Sequence, residues 1–253
     1  MIYKLNQYDK IAPLFEGWEE TMIWSCLQNV MGHIYTDHLE APTAAMAVLG
    51  DFRLLAGAPS MELVAFSPEE RQHDFAILIP GHEGWSRLIE AHYKDRARRV
   101  TRYAFHKDQD GFDLEALKRA VEALPAGFEL LPINREIFNQ CQNIPWCCDF
   151  VSQFETYEAF EAYGLGVVMR NTHKEIVSGA SSYSAYEGGI EVEIDTRSDY
   201  RRQGFAYICA AQLILNCIRR GLYPSWDAQN PSSAALAKKL GYRFFHTYPA
   251  YEI

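Results

Sequence analysis

None of the six cysteines, at 26, 141, 147, 148, 209 and 217, pairs with another in C-x-x-C spacing. None of the eight histidines falls in an H-E-x-x-H pattern. A metal centre is therefore not expected, and the cysteines read as reduced, mostly buried thiols of a cytoplasmic protein. The chain also lacks any run of about 18 consecutive apolar residues, so no transmembrane helix is expected. Its first ten residues carry no apolar h-region, so a secretory signal is not expected. Positive charge is in deficit: Lys plus Arg is 24 against 33 for Asp plus Glu, a net charge of −9. That balance argues against a general nucleic-acid or anionic-membrane partner. Arginines 96, 98, 99 and 102 in the run Lys94–Lys107 are read as a solvated strand and its preceding loop.

With 253 residues and 48% hydrophobic content, the chain can bury a substantial core without disulfides or metal. The pattern is of the α/β (α+β) class. Helical spacing of Trp18, Met22, Cys26 and Val30 predicts a helix over 17–33. A hairpin is expected from Ala44–Leu49 through Gly50-Asp51 to Phe52–Ala56. Further strands are expected at Glu62–Phe66, Phe75–Pro80 and Arg99–Phe105, and helices at Gly84–Tyr93 and Asp113–Ala123. The breaker cluster Leu124-Pro125-Ala126-Gly127 suggests an N-terminal α+β domain over 1–127 and a second domain over 128–253. The second begins with a strand at Phe128–Ile133 and a short helix at Phe154–Ala162. Strands are then expected at Leu165–Met169, Glu175–Tyr183 and Gly189–Thr196. A long helix from 203 to 220, a strand at Leu222–Trp226, a helix at Pro231–Leu240 and a closing strand pair follow.

The chemistry concentrates where the strand ending at Thr196 runs into Arg201-Arg202-Gln203-Gly204-Phe205-Ala206. Gly204 and Ala206 let a ligand approach the backbone. The N–H groups of Arg202–Ala206 lie at a helix N-terminus, where donors and dipole suit a pyrophosphate. Arg201 and Arg202 add positive charge. A second block, Asn230-Pro-Ser-Ser-Ala-Ala-Leu-Ala-Lys-Lys-Leu-Gly-Tyr242, reads as a helix capped by Asn230 and ended by Gly241.

In order, the two blocks resemble the GNAT superfamily of N-acyltransferases, with R/Q-x-x-G-x-G/A at 201–206 and the later block at Asn230, Ser233, Leu236, Lys239, Gly241 and Tyr242. The resemblance covers about residues 130–253. Phrases such as Glu193-Ile-Asp-Thr196 and Pro224-Ser-Trp-Asp-Ala228 look like the branch that includes zwittermicin A resistance-type acetyltransferases. The resemblance implies a GNAT-like mixed sheet with flanking helices and acetyl-CoA as cosubstrate. The acyl-CoA site would comprise Ile194, Thr196, Arg201, Arg202, Gln203, Gly204, Phe205, Ala206, Asn230 and Ser233. One position departs from the family: Ala237 stands where a Tyr often protonates the leaving thiolate.

Period-2 alternation puts Glu191, Glu193 and Asp195 on one strand face. An amine must lose a proton to attack a thioester, and a carboxylate can take it. Glu193 is the first choice of base and Glu191 the second; backbone N–H groups near Ile194 would serve the oxyanion. Trp226 and Asp227 end the next strand and are the candidate acceptor contacts; Asp227 is either a holder of a cationic acceptor or a turn residue. Cys147 and Cys148 have no His partner in any recognisable pattern and read as structural. The expected activity is acetyl transfer to a primary amine of a small molecule by direct attack; the alternative is an inactive module that holds coenzyme A. The first 127 residues would cover the acceptor side of the cleft, with Trp18, His38 and Phe52 as candidate contacts, or form an oligomer interface such as that of a homodimer.

Overall fold

Local signals decide most element boundaries in the computed structural model, which describes residues 1–68, 75–108 and 111–253. Strand β1 (Tyr3–Leu5) leads to a short helix α1 (Thr21–Leu27) and strand β2 (His33–Thr36). The predicted helix over 17–33 is thus cut to one central segment. Left-handed Gly17, Asn29 and Gly32 stop it on both sides. Strands β3 (Ala44–Leu49) and β4 (Phe52–Gly57) form the expected hairpin, turning at Gly50 with φ +55°. The segment predicted as a strand at Glu62–Phe66 is instead helix α2 (Met61–Ala65). Ser60 caps it by accepting from the Leu63 N–H, and a side-chain cap overrides a five-residue apolar alternation. Strand β5 (Ile77–Pro80), helix α3 (Glu83–Tyr93) and strand β6 (Arg98–Phe105) follow as expected.

Helix α4 (Leu114–Glu122) is capped by Asp113. Then come strand β7 (Phe128–Pro132), helix α5 (Arg135–Gln142), which the sequence pattern did not predict, and helix α6 (Tyr157–Tyr163). Strands β8 (Gly166–Asn171), β9 (Ile176–Tyr186) and β10 (Gly189–Thr196) lead into helix α7 (Phe205–Arg219). Strands β11 (Tyr223–Ser225) and β12 (Asp227–Ala228), helix α8 (Pro231–Leu240) and strand β13 (Phe244–Glu252) complete the chain. The closing strand pair is thus one strand.

The chain divides into two compact units, residues 1–102 with 247–253, and residues 103–246. The expected division at 127/128 falls inside the second unit. The reason is packing: Leu117 of α4 is buried in the same apolar cluster as Ala210, Ala211 and Ile214 of α7. The Pro-Gly breaker ends a helix but does not end a core.

In the first unit, strands run in the order β1-β2-β3-β4-β5-β13-β6, with β4 and β5 parallel. Its core gathers Met46, Leu55, Leu63, Leu78, Trp85, Ile89 and Tyr251. The basic run is largely committed here: Arg98 pairs with Glu252, Arg99 with Glu90, and Arg102 lies over the Phe52 ring at 4.8 Å. Phe52 is buried, so it serves packing, whereas His38 is exposed.

Asp37 ties the loop between β2 and β3. Its carboxylate accepts from the Thr43 and Ala44 N–H groups and from the hydroxyls of Thr43 and Thr36. Burial alone would raise its pKa, but these bonds outweigh it and hold the carboxyl at about 2. A depressed carboxyl contributes stability above its unfolded pKa and loses it as pH falls through the folded value. Asp37→Ala should therefore cost roughly 1–2 kcal/mol at neutral pH. The difference from wild type should shrink between about pH 4 and pH 2, read by denaturant unfolding at several pH values.

In the second unit, a five-stranded sheet runs β11-β10-β9-β8-β7, antiparallel except for the parallel pair β10–β11. Helices α7 and α8 share one apolar cluster with Trp226, Ala234, Ala237, Leu240 and Tyr242, and Val192 and Ile194 of β10 pack against it. At the end of β6, Tyr103 and Ala104 pair with β12.

Candidate active site

Parallel pairing between β10 and β11 covers only three rungs: Gly189–Tyr223, Ile190–Pro224 and Glu191–Ser225. From Val192 to Thr196, β10 stays paired with β9 but has no β11 rung. In a sheet, alternate backbone groups point to opposite neighbours. The parted stretch of β10 therefore offers main-chain groups to an extended ligand lying where β11 would continue. A bulge sits at the same level: Ser184 pairs with Glu191 and Ser182 with Val192, leaving Tyr183 as the extra residue on β9.

Beyond Thr196 the chain makes a braced turn. Arg197 bonds Asp199 and Glu175 and lies over the Tyr200 ring, whose hydroxyl accepts from Asn171. Arg201 donates through Nε to the Thr196 carbonyl at 2.9 Å and pairs with Asp195 at 3.2 Å. Its guanidinium thus ties the turn to the strand end, while Arg202 leaves its charge exposed. Arg202 (φ +63°) and Gly204 (φ +84°) are both left-handed, one on either side of Gln203. Such alternation turns successive N–H groups to one side as an anion-binding concavity. A left-handed arginine is strained, which a scaffold retains where the geometry is used. Helix α7 starts with no side-chain cap and no acidic residue in its first turn, leaving its donors to a ligand or water. A Cβ on Gly204 would meet no atom within 4 Å, so the space above the turn is open.

The remaining predicted residues divide by where their side chains go. Phe205 is buried against Phe128 at 4.7 Å, so only its backbone belongs to the turn. Ala206 is half-buried in the first helical turn. The Thr196 hydroxyl is shared with Ser178 at 2.7 Å. Asn230 caps α8 by accepting from the Ser233 N–H, and the Ser233 hydroxyl accepts from the Trp226 indole. Trp226 is buried in the α7–α8 cluster, 5.4 Å from the Tyr242 ring, so its contacts are those of packing. Asp227 pairs in register with Ala104. Ala237 is fully buried in the same cluster, with no room for a phenol. Tyr242 donates to the Pro224 carbonyl at 2.6 Å, and burial raises its pKa far above the usual value. That hydroxyl is therefore not a substitute acid for the leaving thiolate.

On β10 the alternation holds. Val192 and Ile194 pack into the α7–α8 cluster, while Glu191, Glu193 and Asp195 take the opposite face. There the 148–150 turn packs on β9: the Phe150 ring fills the space beside Gly179, and the Phe150 carbonyl accepts from Ser181 at 2.6 Å. Gly179 and Ser181 are the cross-strand partners of Asp195 and Glu193. Glu193 is half-buried, and Glu191 is only 7% exposed. Burial raises the pKa of Tyr186, against the lowering effect of the hydrogen bond its hydroxyl shares with Ser225 at 2.8 Å, and the nearby Glu191 adds a smaller upward push. Cys147 is buried beside Cys141; their hydrogen bond, then burial, push its pKa far up, which makes it a poor nucleophile. Ser181 and Ser184 of β9, the cross-strand partners of Glu193 and Glu191, were missed in the sequence. Their signal was a strand too rich in Ser for an apolar core, at 178, 181, 182 and 184. Among the described residues no helix is long and apolar enough to cross a membrane, and no three His, Cys, Asp or Glu groups gather as for a metal ion.

Comparison with known proteins agrees with this architecture. A family model described as GNAT acetyltransferase matches residues 12–251. The chain is 29% identical to the uncharacterized N-acetyltransferase YdfB of Bacillus subtilis (strain 168), over 97% of this chain and 95% of that one. A solved GCN5-related N-acetyltransferase-like protein from Streptococcus suis 89/1591 shares 45% identity and 96% of each chain, with a TM-score of 0.91. A GCN5-related N-acetyltransferase from Kribbella flavida shares the fold at 18% identity, with a TM-score of 0.57 over 93% of this chain and 96% of that one. With a strand pair that parts beside an open, donor-rich turn, and a family match over nearly its whole length, this chain belongs to the GNAT acetyltransferase family, whose enzymes use acetyl-CoA.

Proposed function

We propose that the enzyme transfers the acetyl group of acetyl-CoA to a primary amine of a small molecule by direct attack. The observation that carries this reading is the parting of β10 from β11 beside the open turn at Arg201–Ala206, with Glu193 on the strand face of the parted stretch. The N–H groups from Arg202 to Ala206 receive the pyrophosphate, and Arg202 supplies charge. The parted edge of β10 holds the extended arm, and an N–H near Ile194 donates to the thioester oxygen as negative charge develops there.

Glu193 accepts the proton that the acceptor ammonium must lose. The free amine attacks the carbonyl carbon, a C–N bond forms, the C–S bond breaks and the sulfur leaves with the electron pair. A thiol of pKa about 8.5 leaves readily as thiolate near neutral pH. The buried Ala237 is thus compatible with turnover. The resemblance to the zwittermicin A resistance-type branch supports a small-molecule acceptor. The test is thiol release from acetyl-CoA across a panel of small amines, with the acetylated amine identified by mass spectrometry. Matched thiol and N-acetyl product supports the reading. Transfer only to protein lysines would contradict it.

A further inference from the structure

The first unit repeats the strand plan of the second. Strands β1, β2, β3 and β4 join antiparallel in order, and β4 joins β5 in parallel. Strands β7, β8, β9 and β10 do the same, and β10 joins β11 in parallel. In both units a helix connects the parallel pair, α2 in the first and α7 in the second, and another helix, α3 or α8, comes after the fifth strand. A parallel join needs such a crossover, so five strands that match in order and in sense describe one fold twice. A fold carries a function only through its site.

The two places where a cofactor would enter differ. Pairing of β4 with β5 runs through four rungs, from Phe52–Ile77 to Leu55–Pro80, and the Gly81 N–H then donates to the Leu55 carbonyl at 2.8 Å. The Gly57 carbonyl at the end of β4 accepts from Nε2 of His82 and Nε1 of Trp85, each at 3.1 Å. The Trp85 indole is fully buried. Strand β5 is also held between β4 and β13, while β11 ends its sheet. The turn after β4 has its donors committed as well. The Ala58 N–H donates to the Thr43 carbonyl, Pro59 has no N–H, and the Leu63 N–H donates to Ser60 Oγ. Glu62 puts a carboxylate in the first turn of α2, where an anion would have to lie. A Cβ on Gly57 would come within 2.3 Å of the Thr43 carbonyl oxygen, whereas one on Gly204 meets nothing within 4 Å.

We propose that the first unit is a second acetyltransferase fold whose cofactor cleft is shut by its own side chains, so that the chain binds a single coenzyme A, in the second unit. This rests on the cofactor reading above for the place of the open site. Opening the first cleft would strip the Leu55 and Gly57 carbonyls of partners, which is costly for buried groups. Ser60, Glu62, His82 and Trp85 thus close what Gly204 and the uncapped start of α7 leave open.

Titration calorimetry of the full chain with coenzyme A should give one equivalent, and Gly204→Glu should give none. Hydrogen exchange read by peptide mass spectrometry places the ligand. Coenzyme A should protect peptides over 192–206 and leave those over 54–63 unchanged. A second equivalent in the wild type would overturn the proposal, as would protection over 54–63 that survives in Gly204→Glu. One equivalent that survives in Gly204→Glu with no protection over 54–63 would contradict the cofactor site proposed above and still support closure of the first unit.

Discussion

Glu193→Gln should lower turnover by about 10²–10⁴ while leaving acetyl-CoA binding nearly unchanged. The substitution keeps the size of the side chain and its half-buried place opposite Ser181, so the strand and its bulge should survive. What it removes is a group able to take a proton. An amine acceptor is an ammonium near neutral pH, and only its free-base fraction can attack. The variant should therefore regain part of its rate as pH rises toward the acceptor's own pKa. Steady-state kinetics from pH 6 to pH 10, with calorimetry of acetyl-CoA in parallel, reads both effects. Full activity in Glu193→Gln, with a large loss in Glu191→Gln, would move the base two residues inward along β10.

Gly204→Glu should abolish coenzyme A binding while leaving the fold in place. Gly204 has φ +84°, and its missing Cβ faces open space. The new side chain would project into the volume assigned to the pyrophosphate and bring a negative charge to the donors of the α7 N-terminus. Forcing a residue with a side chain into the left-handed region costs roughly 1–2 kcal/mol, which a domain of this size tolerates. Gly204→Ala separates the two causes. It carries the same backbone penalty and no charge, so its affinity should fall far less. Circular dichroism and thermal melts establish folding, and titration calorimetry reads binding. Unchanged affinity in Gly204→Glu would remove the turn from the cofactor site.

What the sequence made legible was local. Helix α8 is bounded as expected because its signals lie within the helix: Asn230 as cap, Pro231 in the first turn and Gly241 at φ +110° as the stop. Strand β10 and the turn after it are also where the pattern put them, since alternation and the R-x-x-G-x-A phrase are contiguous. Helix α2 was misread because five residues cannot separate a strand period from a single capped turn. The division at 127/128 failed because Leu117 packs on α7, almost a hundred residues later in the chain. The pairing of Ser184 with Glu191 depends on cross-strand register, and the bulge at Tyr183 shifts that register by one. Trp226 shows the same limit: its position at a strand end suggested acceptor contact, but the packing of α7 and α8 takes its ring into the core.

The parted strands and the open turn are the centre of the account, and a crystal structure of the enzyme with coenzyme A tests them most directly. The pyrophosphate should lie within hydrogen-bond reach of the N–H groups between Arg202 and Ala206. The pantetheine arm should run along Val192–Thr196 in the gap left by β11, with the thiol near Glu193. Coenzyme A bound elsewhere, or β11 closed against β10 over that stretch, would contradict the assignment of this site.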